Sequence, residues 1–301
     1  MGFNAKVKRG AIAFLLGLLL VMVGGELLIE KIAIFGFHDI VNLDNPQQRP
    51  PQRPEFRPDY SLADFETFLR RLVARNYWFL SSQDLYNYYY KDPPDPIPQE
   101  YRHRPKVMVS LDDGYRDAHV NVLPLLERLY RETGEKITVV WFVNSSFMGV
   151  RGTYLEHASC EELREGFRRG YYDIQSHGAN HDNLTLISQE EVEKEVGRSQ
   201  QELRDCLTGL EGTETVANHL SYPFGAIDDP ALEIVKLYHQ SGYLYNTRSL
   251  RLTPFRNPYF IPRQTVNRNT SVGRLLRLAA GGWFFRDFKL DRVGNQVNYS
   301  P

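Results

Sequence analysis

From Lys31 onward the chain alternates between two hydrophobic rhythms. Short apolar runs, KIAIFGFHDIV (31–41), KVMVSL (106–111), ITVVWFV (137–143), YYDIQSH (171–177) and HLSYPFGA (219–226), read as strands. The uninterrupted run at 137–143 suits a strand covered on both faces. Between these runs apolar residues recur at steps of three and four. Leu62, Phe65, Phe68, Leu69 and Leu72 follow the N-cap candidate Ser61, and Val122, Leu123, Leu125, Leu126 and Leu129 form a second such face. Further helices are expected near 161–169, 188–207, 230–240 and 270–279, the second opened by Ser188 with Glu191 three residues on, a capping-box pattern. YLYNT (243–247) and YFIPRQTV (259–266) supply late strand-like stretches, and RLLRLAAGGWFF (274–285) an amphipathic helix packed on the body. Strands and helices thus alternate six or seven times, which predicts an α/β fold with a parallel sheet, open or closed into a barrel. In either form chemistry gathers at the C-terminal ends of the strands.

Two proline-rich stretches, NPQQRPPQRPEFRPDY (45–60) and DPPDPIPQEYRHRP (92–105), break both rhythms and read as surface loops. A different break lies at the start. Lys6, Lys8 and Arg9 precede AIAFLLGLLLVMV (11–23), and only Glu26 interrupts the apolar run as it continues to Ile29. This predicts an uncleaved membrane anchor over residues 1–30, with the basic end in the cytoplasm and the remainder exported. A cleaved signal peptide is the alternative. Composition narrows the partners: Lys plus Arg number 36 against 37 Asp plus Glu, a balance that argues against nucleic acid. The 18 tyrosines and 17 phenylalanines suit sugar binding, although packing is their commoner use, and packing is the reading for Tyr86, Tyr88, Tyr89 and Tyr90. Cys160 and Cys206 either pair, as export would allow, or remain thiols.

The polar residues at the expected strand ends carry the chemistry. His38 ends the first strand, Asp112 and Asp113 the next, and His177 a later one, with His181 four residues further in SHGANHDNL. Asp-Asp-Gly is good turn chemistry by itself, and a His pair four apart is common by itself. Together, two imidazoles and a carboxylate make a three-ligand set that leaves a position open, as catalytic zinc sites do, while the second carboxylate handles a proton. His103, His119, His157, His219 and His239 have no partners at such spacing and read as structural or surface residues.

LDDG, HGANH and SYPFG stand in the order and approximate spacing of the polysaccharide deacetylases, the NodB-like family 4 carbohydrate esterases, and the chain resembles them from Ile32 to about Leu278. GFHDI, the helix from Tyr60 and IPRQTV resemble most the exported poly-β-1,6-N-acetylglucosamine deacetylases of biofilm formation. The resemblance implies a distorted (β/α)7 barrel, with 31–301 as the catalytic domain behind the N-terminal membrane segment. It implies a divalent metal, zinc by preference, held by Asp113, His177 and His181. Asp112 becomes the general base, His38 the general acid, and the Phe224 backbone N–H an oxyanion donor. The implied activity is removal of N-acetyl groups from an exported, N-acetylglucosamine-containing polysaccharide. Peptidoglycan, chitin-type or O-acetylated glycans are alternatives, as is a tethered, non-catalytic glycan-binding protein on the same scaffold. Two departures stand out. The usual Thr-Phe before the carboxylates is Ser110-Leu111, and Ser221 replaces the arginine that pairs with the catalytic carboxylate. Arg263 is the candidate replacement, an ordinary surface arginine being the other reading.

Overall fold

A computed structural model describes residues 29–254 and 256–281. Its frame is a parallel sheet built from β1 (Lys31–Phe37), β5 (Lys106–Leu111), β6 (Val139–Val143), β7 (Tyr172–Ser176), β8 (His219–Ser221) and β9 (Ser241–Tyr243), side by side in that order. Short strands complete it: β4 (Trp78–Phe79) pairs with β5, and β10 (Leu250–Arg251) and β11 (Gln264–Thr265) both pair with β1. A separate two-stranded piece joins β2 (Ile40–Val41) to β3 (Tyr60–Ser61). The helices are α1 (Leu62–Val73), α2 (Ser82–Tyr89), α3 (Arg116–Thr133), α4 (Cys160–Arg168), α5 (Gln189–Leu207), α6 (Asp229–Tyr238) and α7 (Val272–Ala279). Ser61 and Ser188 cap α1 and α5 as expected, the latter with the reciprocal Glu191 bond of a capping box.

The sheet curls until one short segment touches both of its edges. Ile261 makes a single parallel bridge to Tyr243 of β9, while Gln264 and Thr265 pair with Phe35 and Gly36 of β1. The expected strand over 259–266 is therefore cut to two fragments. Pro262 stands at the break, and having no N–H it cannot donate to a ladder. Alternation along the strands sorts side chains into two cores. Ala33, Phe35, Phe37, Val107, Val109, Leu111, Val139, Trp141 and Val143 lie outside the curl beneath the helices. Ile32, Ile34, Met108, Val140, Phe142, Tyr243 and Ile261 fill its inside. The inward register continues past the last apolar layer into polar residues. His38, Asp112, His177, Ser221 and Arg263 stand two residues beyond Gly36, Ser110, Gln175, His219 and Ile261.

The first proline-rich stretch is not simply a surface loop. It holds a 3-10 turn at Pro46–Gln48, and Gln48 and Arg53 are buried within it. The reason is charge: Arg53 bonds Asp59 at 2.6 Å and Asp39 at 2.9 Å, with Asp117 3.7 Å away. This stitches the segment to the chain just after His38. Tyr88 and Tyr89 pack with the inner core as expected, and Leu275 and Ala279 of α7 pack on the outer one. Among the described residues no helix is long and apolar enough to cross a membrane. The expected anchor, residues 1–30, lies outside the described part but for its last two residues.

Candidate active site

Seven residues singled out from the sequence meet at the rim where the strands end. Asp113 Oδ1 lies 3.3 Å from His177 Nε2 and 3.5 Å from His181 Nε2, and the two imidazole centroids are 4.9 Å apart. Two adjacent carboxylates can serve one site because the chain leaves extended geometry: β5 ends at Leu111, and Asp113 sits in the left-handed region at φ 69°. His181 and Phe224 are also left-handed, at φ 62° and 60°. Such backbone is strained for non-glycine residues and persists where surrounding structure enforces it.

The enforcement is visible around His181. Glu195 of α5, 3% exposed, accepts from the backbone N–H groups of Asn180 and Asp182 at 2.7 and 3.2 Å. Gly178, at φ 80°, is required there, since a Cβ would lie 2.6 Å from Glu195 Oε1. On the facing side Asn144 Nδ2 donates to the His177 carbonyl at 2.6 Å. None of these residues was a sequence candidate. Their only sequence signal is their position, one at the end of a strand and one on an otherwise ordinary helix face.

The donor set fits a divalent cation. His177 Nδ1–H donates to the Ser221 carbonyl at 2.8 Å, which leaves the lone pair on Nε2 directed at Asp113. Asp113 Oδ1 is itself buried without a hydrogen-bond partner. Two acceptors facing each other at 3.3 Å repel unless a cation or a proton lies between them. The electrostatics agree. Burial pushes Asp113 up, but the His177 imidazole beside it and the His38 and His181 charges outweigh it and hold Asp113 below the usual carboxylate range. Burial lowers His177, yet Asp113 and Asp112 raise it on balance, while burial and His177 together bring His181 down to about 4. Asp113, His177 and His181 are the group of metal-ligating side chains found among the described residues.

Asp112 is held differently. Arg263, fully buried, grips both of its oxygens at 2.6 and 2.8 Å. The remaining donors of the guanidinium go to Ser110 Oγ, Ser221 Oγ and the Leu244 carbonyl, so all five N–H groups are used. Arg263 is thus no surface arginine. Both departures noted in the sequence, Ser110 and Ser221, are the hydroxyls that receive it. Burial raises Asp112, and the Arg263 and His177 charges outweigh that and lower it. His38 completes the group. Its ring meets Tyr245 edge-on at 5.4 Å, its Nδ1 is buried without a partner, and its charge acts on both Asp112 and Asp113. The proton of a neutral His38 therefore belongs on Nε2. Phe224 lies with its ring centroid 4.6 Å from that of His181 and is 45% exposed at the rim. Cys160 and Cys206 form a disulfide joining α4 to α5.

Comparison with known proteins follows the same lines. Residues 99–243 match the family model described as polysaccharide deacetylase. No curated protein sequence matches the chain. Among solved structures, a polysaccharide deacetylase from Bacillus cereus is 20% identical with a TM-score of 0.67, covering 83% of this chain and 69% of its own. The deacetylase PplD of Streptococcus pyogenes, in complex with acetate, is 18% identical with a TM-score of 0.65, covering 83% and 98%. IcaB from Ammonifex degensii is 18% identical with a TM-score of 0.64, covering 83% and 97%. At these identities the likeness shows the fold.

Proposed function

We propose, on the footing of the match of residues 99–243 to the polysaccharide deacetylase family model, that the chain removes N-acetyl groups from an exported polysaccharide containing N-acetylglucosamine, releasing acetate. The observation that carries this reading is the juxtaposition of an arginine-held carboxylate, Asp112, with the Asp113–His177–His181 cluster and with the imidazole of His38. A divalent cation, zinc by preference, held by those three ligands would polarise the acetamide oxygen and bring the pKa of water to about 7. Asp112, kept ionised by Arg263, takes the proton of the attacking water. In its protonated form His38 donates from Nε2–H to the nitrogen that leaves as an amine, and is left as the neutral imidazole. The Phe224 backbone N–H stabilises the developing oxyanion, its left-handed turn setting the direction of the peptide. Arg263 itself positions Asp112 and touches no substrate.

Export is part of the proposal. The basic, apolar N-terminus suggests it, and the Cys160–Cys206 bridge supports it, because disulfides persist in oxidising compartments.

Acetate release from β-1,6- and β-1,4-linked N-acetylglucosamine oligomers and from peptidoglycan tests the reading. The β-1,6 oligomer should release most, a chelator should suppress release, and Asp112→Asn should lower kcat at least 100-fold on the scale typical of a lost general base. Absence of release from all three, or an Asp112→Asn variant as active as wild type, refutes it and leaves the glycan-binding alternative.

A further inference from the structure

One imidazole outside the seven is placed against the site. His157 lies in the chain before α4, and the segment around it is clamped onto the residues that follow Asp113. Ala158 N–H donates to the Gly114 carbonyl at 2.9 Å and Arg116 N–H to the Glu156 carbonyl at 2.7 Å, making Tyr115 and His157 a paired bridge. The rings of Tyr115 and Phe147 flank the imidazole, with centroids 5.1 and 5.2 Å away. All three side chains are half-buried, so each keeps part of its surface toward solvent.

The ring's two nitrogens are unequal. Nδ1 is enclosed and has no hydrogen-bond partner, whereas Nε2 is not among the enclosed, unpartnered atoms. A proton on Nδ1 would bury an unsatisfied donor, so the neutral ring carries it on Nε2. Burial holds His157 below the ordinary imidazole range, and the Asp113 charge, near enough to act on the ring, only partly offsets this. The result is a fixed N–H donor between two aromatic faces, on the rim beside the candidate metal ligand.

Flat rings beside a fixed polar donor are what a sugar needs: its C–H face packs on the rings while the donor reads one oxygen. We propose that His157, with Tyr115 and Phe147, forms a glycan subsite that binds a sugar unit next to the one losing its acetyl group, His157 Nε2–H donating to a hydroxyl or acetamide oxygen of that unit. This rests on the polysaccharide reading above and assigns His157 to binding, not to the proton transfers.

Two variants separate the donor from the ring. His157→Phe keeps an aromatic body and removes the donor, and His157→Gln restores an N–H near the Nε2 position. Binding of a metal-free full chain to N-acetylglucosamine pentamer, measured by calorimetry, should weaken about 5-fold in His157→Phe, within what one net hydrogen bond supplies, and recover at least half of that in His157→Gln. In turnover, KM for the pentamer should rise by a similar factor with kcat within 2-fold, and hydrolysis of a small aryl acetate, which has no second sugar, should stay unchanged. Equal binding by wild type and His157→Phe overturns the subsite. So does a parallel loss of aryl acetate hydrolysis and melting temperature, which marks a structural role. A wild type that hydrolyses aryl acetate but does not bind the pentamer also overturns it, and in that case the deacetylase chemistry stands while the glycan assignment falls.

Discussion

Replacing Arg263 by methionine tests how the site is held together. The guanidinium is fully buried, it spends all five N–H groups on protein acceptors, and its partner Asp112 is 2% exposed. Methionine fills much of the volume, so the loss is mainly electrostatic. Removing one partner of a buried ion pair leaves an uncompensated charge, at about 3–5 kcal/mol. That is a large fraction of the ~5–15 kcal/mol by which a domain is stable. Urea denaturation should therefore show an unfolding free energy lowered by that amount. The double variant Arg263→Met/Asp112→Asn should recover a substantial part of the loss, because it carries no orphaned carboxylate. The sign in pH follows. Asp112 is lowered in the native protein, so its contribution is present above the unfolded carboxylate value near ~4 and fades as pH falls through the folded value. Without Arg263, only the His177 and His38 charges oppose burial, and Asp112 moves up. The wild-type advantage in stability should thus narrow on acidification, and the acidic limb of kcat/KM for acetate release should move to higher pH. An unmoved limb together with a stability loss under ~1 kcal/mol would refute the positioning role.

Two further expectations use features away from the chemistry. The Cys160–Cys206 bridge closes a loop of sequence separation 46, so Cys160→Ser/Cys206→Ser should lose about 4 kcal/mol by the chain-entropy relation; a fall below ~1 kcal/mol in urea midpoints would count against it. His219 and His239 are buried neutral, each brought down to about 3 by desolvation. The unfolded chain binds their protons near pH 6.5, so each contributes stability that is present above that value and lost as pH falls towards 3, about 2 kcal/mol per residue at pH 5. The drop in unfolding free energy between pH 7 and pH 5 should shrink by about that amount in His219→Gln, and an identical drop would contradict the buried-neutral assignment.

The sequence carried the site's cast better than its staging. Asp112, Asp113, His177 and His181 could be found because strand ends are where polar residues interrupt an apolar rhythm, and Ser188 with Glu191 marked a helix start by local chemistry alone. Arg263 emerged only as a replacement for something missing at Ser221, since a contact between residues separated by 151 positions leaves no local trace. Arg53 was hidden for a related reason. A proline-rich, charged stretch looks solvated until three aspartates from separate parts of the chain are seen around its guanidinium. The left-handed backbone of Asp113, His181 and Phe224 was equally invisible, because glycine-like conformations in these residue types are imposed by tertiary contacts such as those of Glu195. His157 was set aside for lack of spaced partners, and only the pairing of 115 with 157 brings it to the rim.

The segment that joins the two edges of the sheet has a consequence in time. A ribosome releases Asp112, then the two histidines, long before it releases Arg263, 151 residues after the carboxylate that it holds. Until then β9 is a raw edge, β1 is covered only where β10 pairs with Lys31 and Ile32, and Asp112 lacks the Arg263 guanidinium to accompany it into the interior. Contacts this distant in sequence make for slow closure. A chain that stopped at residue 243, where the family match ends, would possess the whole Asp113–His177–His181 cluster and still lack the piece that locks the sheet and holds the base. The final stave is thus also the latch, and the chemistry waits for it.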